Sequence, residues 1–207
     1  MEQLYLLRFQ KTGGARFLSH LDMARLFTRS LRRAGLKLKL SEGFHAHPKI
    51  RFSPPLSVGV ESLCEDCLFT LVDEERGEEE LLRVLSGTMP DGFSLTSLSK
   101  AEHKPAPATH ARYEITFPAG ARDALERAFS APMNVVKRTK SGEKDMDLFP
   151  HLVCEDIRED AGGCVCTLLT PASEPLTINP GLIVTALTKK EPSLIPARIL
   201  KTAAVNR

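Results

Sequence analysis

The sequence predicts an α+β protein made of two small domains, each with an antiparallel sheet covered by helices on one face. Three observations lead to this prediction. Short apolar segments with the period of strands alternate with amphipathic segments with the period of helices. Two such sets of elements flank a proline-rich stretch at residues 104–109, which is typical of a linker. A length of 207 residues suits one large domain or two small ones.

The first half of the chain begins with a strand and a helix. Residues 3–9 are apolar and aromatic, which predicts a strand. Ser19 then predicts a helix N-cap, Asp22 approximates the acidic member of a capping box, and Gly35 predicts the end of the helix. Residues 36–40 alternate leucine with lysine, which is the pattern of a half-buried strand.

A loop rich in histidine and proline follows, and the pattern of strands and helices then resumes. Extended segments are expected at 56–60, 64–72 and 92–98, with an amphipathic helix at 77–89. The resulting order, βαββαβ within about a hundred residues, is the ferredoxin-like arrangement.

The second half repeats this pattern more faintly. Asn179 and the proline after it predict the start of the last helix. The expected strands are 112–117, 133–139, 148–157, 164–170 and 197–205, and the expected helices are 121–130 and 180–187. We therefore predict two tandem ferredoxin-like domains, at 1–102 and 111–207, joined by a linker at 103–110.

Charge is distributed unevenly along the chain although the net charge is only +2. Residues 1–60 carry eleven Lys and Arg against three Asp and Glu, residues 61–102 carry three against eleven, and residues 103–207 carry fourteen against twelve. A strongly basic first segment is typical of a protein with an anionic partner. Basic helix surfaces that only contact solvent would give the same numbers.

The composition also indicates the cellular compartment in which the protein is expected. No apolar run is long enough to span a bilayer, and the first residues lack the basic and then apolar order of a signal peptide. Five cysteines, an odd number, argue against a disulfide framework. The expected location is the cytoplasm, with reduced thiols and no membrane partner.

The loop at residues 43–55 is the most distinctive segment of the sequence. It combines two histidines, a lysine, an arginine and two phenylalanines between glycine and proline. Cations beside an aromatic ring are the usual mixture at single-stranded RNA sites. A proline-stiffened loop whose histidines satisfy backbone groups would explain the same residues. The residues expected to contact RNA here are His45, His47, Lys49 and Arg51, with Phe44 stacking on a base.

Other basic residues extend this candidate RNA site. Lys11 and Arg16 are expected to hold phosphates, and His20 is expected to shape or read the site. The first helix carries an arginine face that is either a solvated surface or a set of further phosphate contacts. Its members are Arg25, Arg29, Arg32 and Arg33. A later basic cluster, around a predicted hairpin turn, consists of Lys137, Arg138, Lys140 and Lys144.

Three histidines and two cysteines are candidates for catalysis or metal binding. His20, His45 and His47 are candidates for RNA cleavage through the 2′-hydroxyl, because an imidazole titrates near neutral pH. Two loop histidines are too few ligands for a metal site, so no metal is expected. Cys64 and Cys67 have the gap of redox and zinc sites, but they lead into a strand, and we interpret their spacing as coincidence.

Six stretches of the sequence together form a recognisable pattern: 7–13 (LRFQKTG), 16–22 (RFLSHLD), 31–36 (LRRAGL), 41–50 (SEGFHAHPKI), 55–62 (PLSVGVES) and 144–150 (KDMDLFP). They resemble the bacterial radical-SAM-linked protein family, a domain of unknown function. The resemblance is specific over residues 3–72.

In that family the domain occurs alone or fused to a cobalamin-binding radical SAM protein, and its genes commonly lie near those for ribosomal proteins and ribonucleases. The resemblance implies an accessory role in RNA modification or ribosome-related metabolism, with tRNA or rRNA bound. This chain has no Cys-x3-Cys-x2-Cys motif, so an iron–sulfur cluster, S-adenosylmethionine and cobalamin would belong to the radical SAM partner and not to this chain.

We therefore expect an RNA-binding accessory protein that acts with a radical SAM enzyme and is not an enzyme by itself. Two alternatives stay open. One is a metal-independent endoribonuclease, because CRISPR-repeat endoribonucleases also have tandem ferredoxin-like domains. The other is a protein-interaction module whose basic patch docks an acidic partner surface.

Overall fold

The structure is a computed structural model that describes residues 1–139 and 142–206. The chain divides into two compact units, Met1–Pro107 and Ala108–Arg207, and the division falls within the predicted linker. Each unit combines helices with an antiparallel sheet, so the predicted α+β class is confirmed. Among the described helices, none combines the length and the apolar character that crossing a membrane requires.

The first unit contains four strands and two α-helices. They are β1 (Glu2–Lys11), α1 (His20–Arg33), β2 (Ile50–Phe52), β3 (Glu61–Val72), α2 (Glu78–Ser86) and β4 (Phe93–Ala101), with a short 3-10 helix at Gly13–Phe17 after β1. The strands lie in the order β4–β1–β3–β2, and every neighbouring pair is antiparallel. Alternate residues of these strands therefore point to opposite faces of one sheet.

One face of this sheet forms the hydrophobic core with both helices. Tyr5 and Phe9 of β1 are fully buried, and they alternate with residues that point to the other face. Phe27 of α1 contributes to an aromatic cluster, with ring centroids 4.8 Å from Phe9 and 5.6 Å from Phe93. The periodic apolar positions of α1 thus determine which face of the sheet it covers.

Both ends of α1 follow from the local sequence. Ser19 caps the N-terminus, since its hydroxyl accepts the backbone N–H of Asp22 and donates to the Asp22 carboxylate at 2.6 Å. Gly35 follows the helix with a φ of +73°, a left-handed conformation that glycine adopts without steric cost.

The expected strand at 36–40 does not form. Leu38 and Leu40 make only isolated bridges, to Leu71 and Pro48, and the second strand of the sheet is β2, which follows the histidine-rich loop instead of preceding it. Pro48 has no N–H group and cannot continue a ladder of backbone hydrogen bonds. Residues 56–60, also expected to be extended, contain a turn at 58–59 and no strand.

The described residues of the second unit form seven strands and two α-helices. They are β5 (His110–Phe117), α3 (Arg122–Ala128), β6 (Asn134–Thr139), β7 (Gly142–Asp147), β8 (Val153–Asp160), β9 (Gly163–Ser173), β10 (Leu176–Thr177), α4 (Pro180–Lys190) and β11 (Arg198–Val205), with a 3-10 helix at Phe149–His151. Asn179 caps α4 as predicted, because its side chain accepts the Leu182 N–H at 3.0 Å.

The sheet of the second unit is also antiparallel. Its strands lie in the order β9–β5–β11, and both β8 and β10 pair with β9. The β6–β7 hairpin forms a separate two-stranded sheet. The hairpin turn predicted around residues 141–143 begins at residue 141, which lies outside the described residues.

Candidate nucleic-acid interface

A cleft of about 570 Å³ lies on the first unit. Its lining combines four cationic side chains, two carboxylates and a small apolar surface. The lining residues are Glu2, Gln3, Leu4, Lys39, Lys49, Arg51, Leu68, Thr70, Ala101, Glu102 and Lys104. All four strands of the first unit's sheet, together with the segment that precedes β2 and the residues that follow β4, therefore contribute to one concave surface.

The cleft lies on the face of the sheet opposite to the helices. Leu4 is adjacent in sequence to the core residue Tyr5, and Thr70 lies between two core residues of β3. Arg51 is exposed, whereas the two residues that flank it in β2 pack against the core. Because side chains alternate across a strand, all three project away from the helices.

The cations of the cleft differ in whether they are neutralised. Lys39 forms an ion pair with Glu2. Among residues 1–139 and 142–206, no carboxylate pairs with Lys49, Arg51 or Lys104. Three unpaired positive charges beside polar hydroxyl and amide groups are suited to bind phosphate oxygens.

The histidine-rich loop rises from the rim of this cleft. The backbone N–H of Lys49 donates to the carbonyl of Lys39 at 2.9 Å, and both residues line the cleft. Near the tip, the Ser41 hydroxyl lies 2.9 Å from Nδ1 of His47 and accepts the His47 backbone N–H at 3.1 Å. These bonds close the loop on itself.

The tip of the loop presents an unsupported aromatic ring. Phe44 is fully exposed, at 106% of its reference area, and His45 is exposed beside it. A ring that packs on no other side chain is available for stacking on a base. Of the residues predicted to bind RNA, the structure thus brings Phe44, His45 and His47 close to the cleft that holds Lys49 and Arg51.

The arginine face of α1 lies on the other side of the sheet. Arg25 forms a loose ion pair with Asp22 at 3.7 Å, with both side chains largely exposed. Arg29 and Arg32 are exposed, and Arg33 donates to the carbonyl of Thr88 at 2.6 Å. These arginines cannot share one continuous binding surface with the cleft, since the sheet separates them.

Lys11 and Arg16 have structural contacts. Lys11 is only 1% exposed and donates through Nζ to the Leu18 carbonyl at 3.0 Å, and burial lowers the pKa of its ammonium group. Arg16 donates to the buried carboxylate of Glu61 at 3.2 Å, and its guanidinium lies 4.7 Å from the Phe17 ring centroid. In this structure Lys11 presents no charge to the surface.

His20 lies apart from the loop histidines. It is exposed at the start of α1, and its ring meets the edge of Phe52 at a centroid distance of 5.7 Å. In the described part of the chain, no contact joins His20 to His45 or His47. The three candidates for RNA cleavage are therefore not assembled into one catalytic group here.

Other sequence candidates are not among the residues that line the cleft. Cys67 is fully buried in β3, where burial raises the pKa of its thiol well above the usual value, and Cys64 is half-buried beside Ser62. In the second unit, Lys137 donates to the Thr177 carbonyl at 2.9 Å. Lys140, from the same basic cluster, lies outside the described residues.

The sequence alone does not predict all of the cleft. Lys104 lies in the predicted linker, and the apolar positions Leu4 and Leu68 are predicted only as parts of strands. The pairing register of the strands brings these positions together, since Leu4 lies opposite Thr70 and Arg51 lies opposite Leu68. Register depends on contacts between distant segments, so the pattern within one strand does not reveal it.

The chemistry of the site can be compared with known proteins. Within the described residues, no three His, Cys, Asp or Glu side chains are grouped to hold a metal ion. A comparison with curated proteins finds no match. A family model matches residues 5–180, which is most of the chain and includes the loop and most of the cleft. The chain therefore belongs to the family described as uncharacterized proteins conserved in bacteria (DUF2344).

Proposed function

We propose that this protein is a cytoplasmic RNA-binding accessory protein that acts with a radical SAM enzyme in RNA modification or ribosome-related metabolism. The observation that carries the RNA-binding part is the cleft with its three unpaired cations, Lys49, Arg51 and Lys104. The iron–sulfur cluster, S-adenosylmethionine and cobalamin belong to the partner in this proposal. The RNA, a tRNA or an rRNA, binds to this chain.

The topology supports a finer proposal, that each unit is a ferredoxin-like domain. In the first unit the order β4–β1–β3–β2 with two helices on one face is the arrangement expected of a βαββαβ chain. In the second, β11–β5–β9–β8 repeats this order, with the β6–β7 hairpin inserted after α3. Four-stranded sheets of this general kind bind single-stranded RNA across the face away from the helices in RNA-recognition modules.

The lining of the cleft favours unpaired RNA over a duplex. Leu4 and Leu68 give an apolar surface on which a base can lie, and Thr70 supplies a hydroxyl that can donate or accept a hydrogen bond. Bases are accessible in this way only when they are not stacked in a helix. Phe44 at the loop tip offers a second stacking surface near the same cleft.

Salt-dependent RNA binding tests the proposal. The parent protein and two triple variants are compared by filter binding to total RNA between 50 and 200 mM salt. The first variant removes the cleft cations (Lys49→Gln, Arg51→Gln, Lys104→Gln), and the charge-matched control removes the helix arginines (Arg25→Gln, Arg29→Gln, Arg32→Gln). Each phosphate contact with single-stranded RNA contributes about 0.7 to the logarithmic salt slope. The cleft variant should therefore lose about 2 from that slope, and the control should lose little.

Three results would contradict the proposal in distinguishable ways. Equal losses of salt slope in the two variants would show that RNA does not bind specifically at the cleft. Absence of RNA affinity in the parent protein would reject the RNA-binding role altogether. Failure of a radical SAM protein to co-purify with the tagged chain, with or without RNase treatment, would reject the partner alone.

A further inference from the structure

Two cysteines of the second unit bring their sulfur atoms within 3.8 Å of each other. Cys154 lies in β8 and Cys166 in β9, and these strands pair in the antiparallel sense. A disulfide bond has a sulfur–sulfur distance of about 2.05 Å. The two side chains would therefore have to approach by only about 1.8 Å to form one.

The two cysteines differ in how deeply they are buried. Cys166 is fully buried opposite Ile115 of β5, which is itself part of the apolar interior of the unit. Cys154 is half-buried, in strand β8, which pairs with β9. A small oxidant can thus reach Cys154 from solvent, whereas the Cys166 side chain has no exposed surface.

Exposure and the hydrogen bond between the thiols together indicate which sulfur reacts first. The hydrogen bond to Cys166 lowers the pKa of the Cys154 thiol, while the same bond and burial raise that of Cys166. The thiolate is the nucleophilic form of cysteine. Cys154 is consequently the sulfur that attacks, and Cys166 holds the proton until the second step.

We propose that Cys154 and Cys166 are an oxidisable thiol pair, which a hydroperoxide converts into a reversible disulfide between β8 and β9. In the first step the Cys154 thiolate attacks the O–O bond, which breaks to leave a sulfenic acid on Cys154 and releases an alcohol, or water from hydrogen peroxide. In the second step the Cys166 sulfur displaces hydroxide from that sulfenic acid, and its proton leaves with the hydroxide as water. Two thiols and one hydroperoxide thereby give one disulfide, one alcohol and one water.

The register of the strands favours a disulfide that is readily reduced again, because diagonal positions are farther apart than opposite ones and a bond between them needs a backbone shift. Cys154 lies directly opposite Leu168 and so is diagonal to Cys166, and the register shifts between Cys154 and Asp156. A cross-strand bond from a diagonal position beside such a bulge strains the ladder, and strained disulfides are the labile ones. The pair is therefore suited to a reversible response and not to permanent cross-linking.

Peptide mapping of the folded, full-length chain tests the proposal. The protein is treated with substoichiometric hydrogen peroxide, its free thiols are alkylated, and its digested peptides are analysed by mass spectrometry. A linked pair of peptides containing Cys154 and Cys166 should form and should disappear after dithiothreitol treatment. In Cys166→Ala the reaction should stop at a sulfenic acid on Cys154, which dimedone captures.

A matched control uses the neighbouring buried cysteine of the same strand. Cys164→Ala should still form the link between Cys154 and Cys166, since Cys164 lies two residues along β9 and has no described bond to either sulfur. The proposal is overturned if the folded parent protein forms no such link. It is equally overturned if Cys64, the other half-buried cysteine, is oxidised first.

Discussion

Glu61 should contribute to the stability of the first unit because its buried carboxylate connects two segments of the chain. It lies at the start of β3, is 4% exposed, and accepts the backbone N–H of Gly13 at 2.9 Å and the guanidinium of Arg16 at 3.2 Å. Replacement by alanine removes both bonds. This change should loosen the 3-10 helix at Gly13–Phe17, which follows β1.

The expected cost can be worked out from these contacts. A hydrogen bond to a charged acceptor contributes about 1.5 to 3 kcal/mol, and a half-exposed ion pair such as that with Arg16 adds less than about 1 kcal/mol. Release of the buried carboxylate from its desolvation offsets part of this loss. We therefore expect Glu61→Ala to lower the free energy of unfolding by about 2 kcal/mol.

Two measurements check this value. Urea denaturation gives the loss of stability, with the exposed Glu75→Ala as a control expected to change it by less than about 0.5 kcal/mol. Hydrogen exchange of the Gly13 amide should accelerate in Glu61→Ala and not in the control, because that amide loses its acceptor.

The result that would refute the reasoning concerns Arg16. If its role is structural, Arg16→Ala should lower stability modestly and leave RNA affinity unchanged. An unchanged stability in Glu61→Ala, together with weaker RNA binding in Arg16→Ala, would show that Arg16 contacts RNA, as the sequence suggested.

Three further predictions concern single positions. Gly92→Ala should destabilise the first unit by about 2 kcal/mol or more. Gly92 has a φ of +88°, and an added Cβ would lie 2.7 Å from the Thr12 carbonyl oxygen. A thermal unfolding scan measures this loss of stability, and an unchanged midpoint would contradict the prediction. Burial raises the pKa of the Cys67 thiol and raises that of Cys164 to about 11, so both thiols keep their protons in the folded state where the unfolded chain, with a thiol pKa of about 8.5, has lost them. The contribution of these two thiols to the free energy of unfolding should therefore be fully present below about pH 8.5 and should be lost as the pH rises toward 11. Urea titrations at successive pH values would detect this loss, and a free energy of unfolding that does not change with pH would contradict it. Asn179→Ala should cost about 1 kcal/mol through loss of the α4 cap, whereas Asn179→Ser should cost little, and equal losses in the two variants would count against capping.

Local signals in the sequence predicted most of the helices and strands. The caps of α1 and α4 are short-range features, since one side chain accepts a backbone N–H three residues later. Strands β8 and β9 overlap the expected extended segments 148–157 and 164–170, and they pair across a short turn. In each case the deciding interaction lies within a few residues of the signal.

The errors concern interactions between distant parts of the chain. Residues 36–40 have the alternation of a strand but find a partner only at single positions, while β2 gains its partner from β3. The burial of Lys11, whose Nζ donates to the Leu18 carbonyl, was likewise not predicted, and its role in holding a phosphate stays a prediction. Burial of a lysine and the register of a strand both depend on tertiary packing, which periodicity along the chain does not encode.

The hydrogen bond from the Lys49 backbone N–H to the Lys39 carbonyl bears on which loop residues can differ among members of this family. It closes the base of the histidine-rich loop independently of what lies at the tip. Residues 42–46 can therefore change in length or composition without disturbing the sheet, because loop closure depends only weakly on loop length. This loop segment is consequently suitable for exchange between proteins. Exchange of this short segment between two members of the family should transfer whatever preference Phe44 and His45 confer and leave the scaffold unchanged.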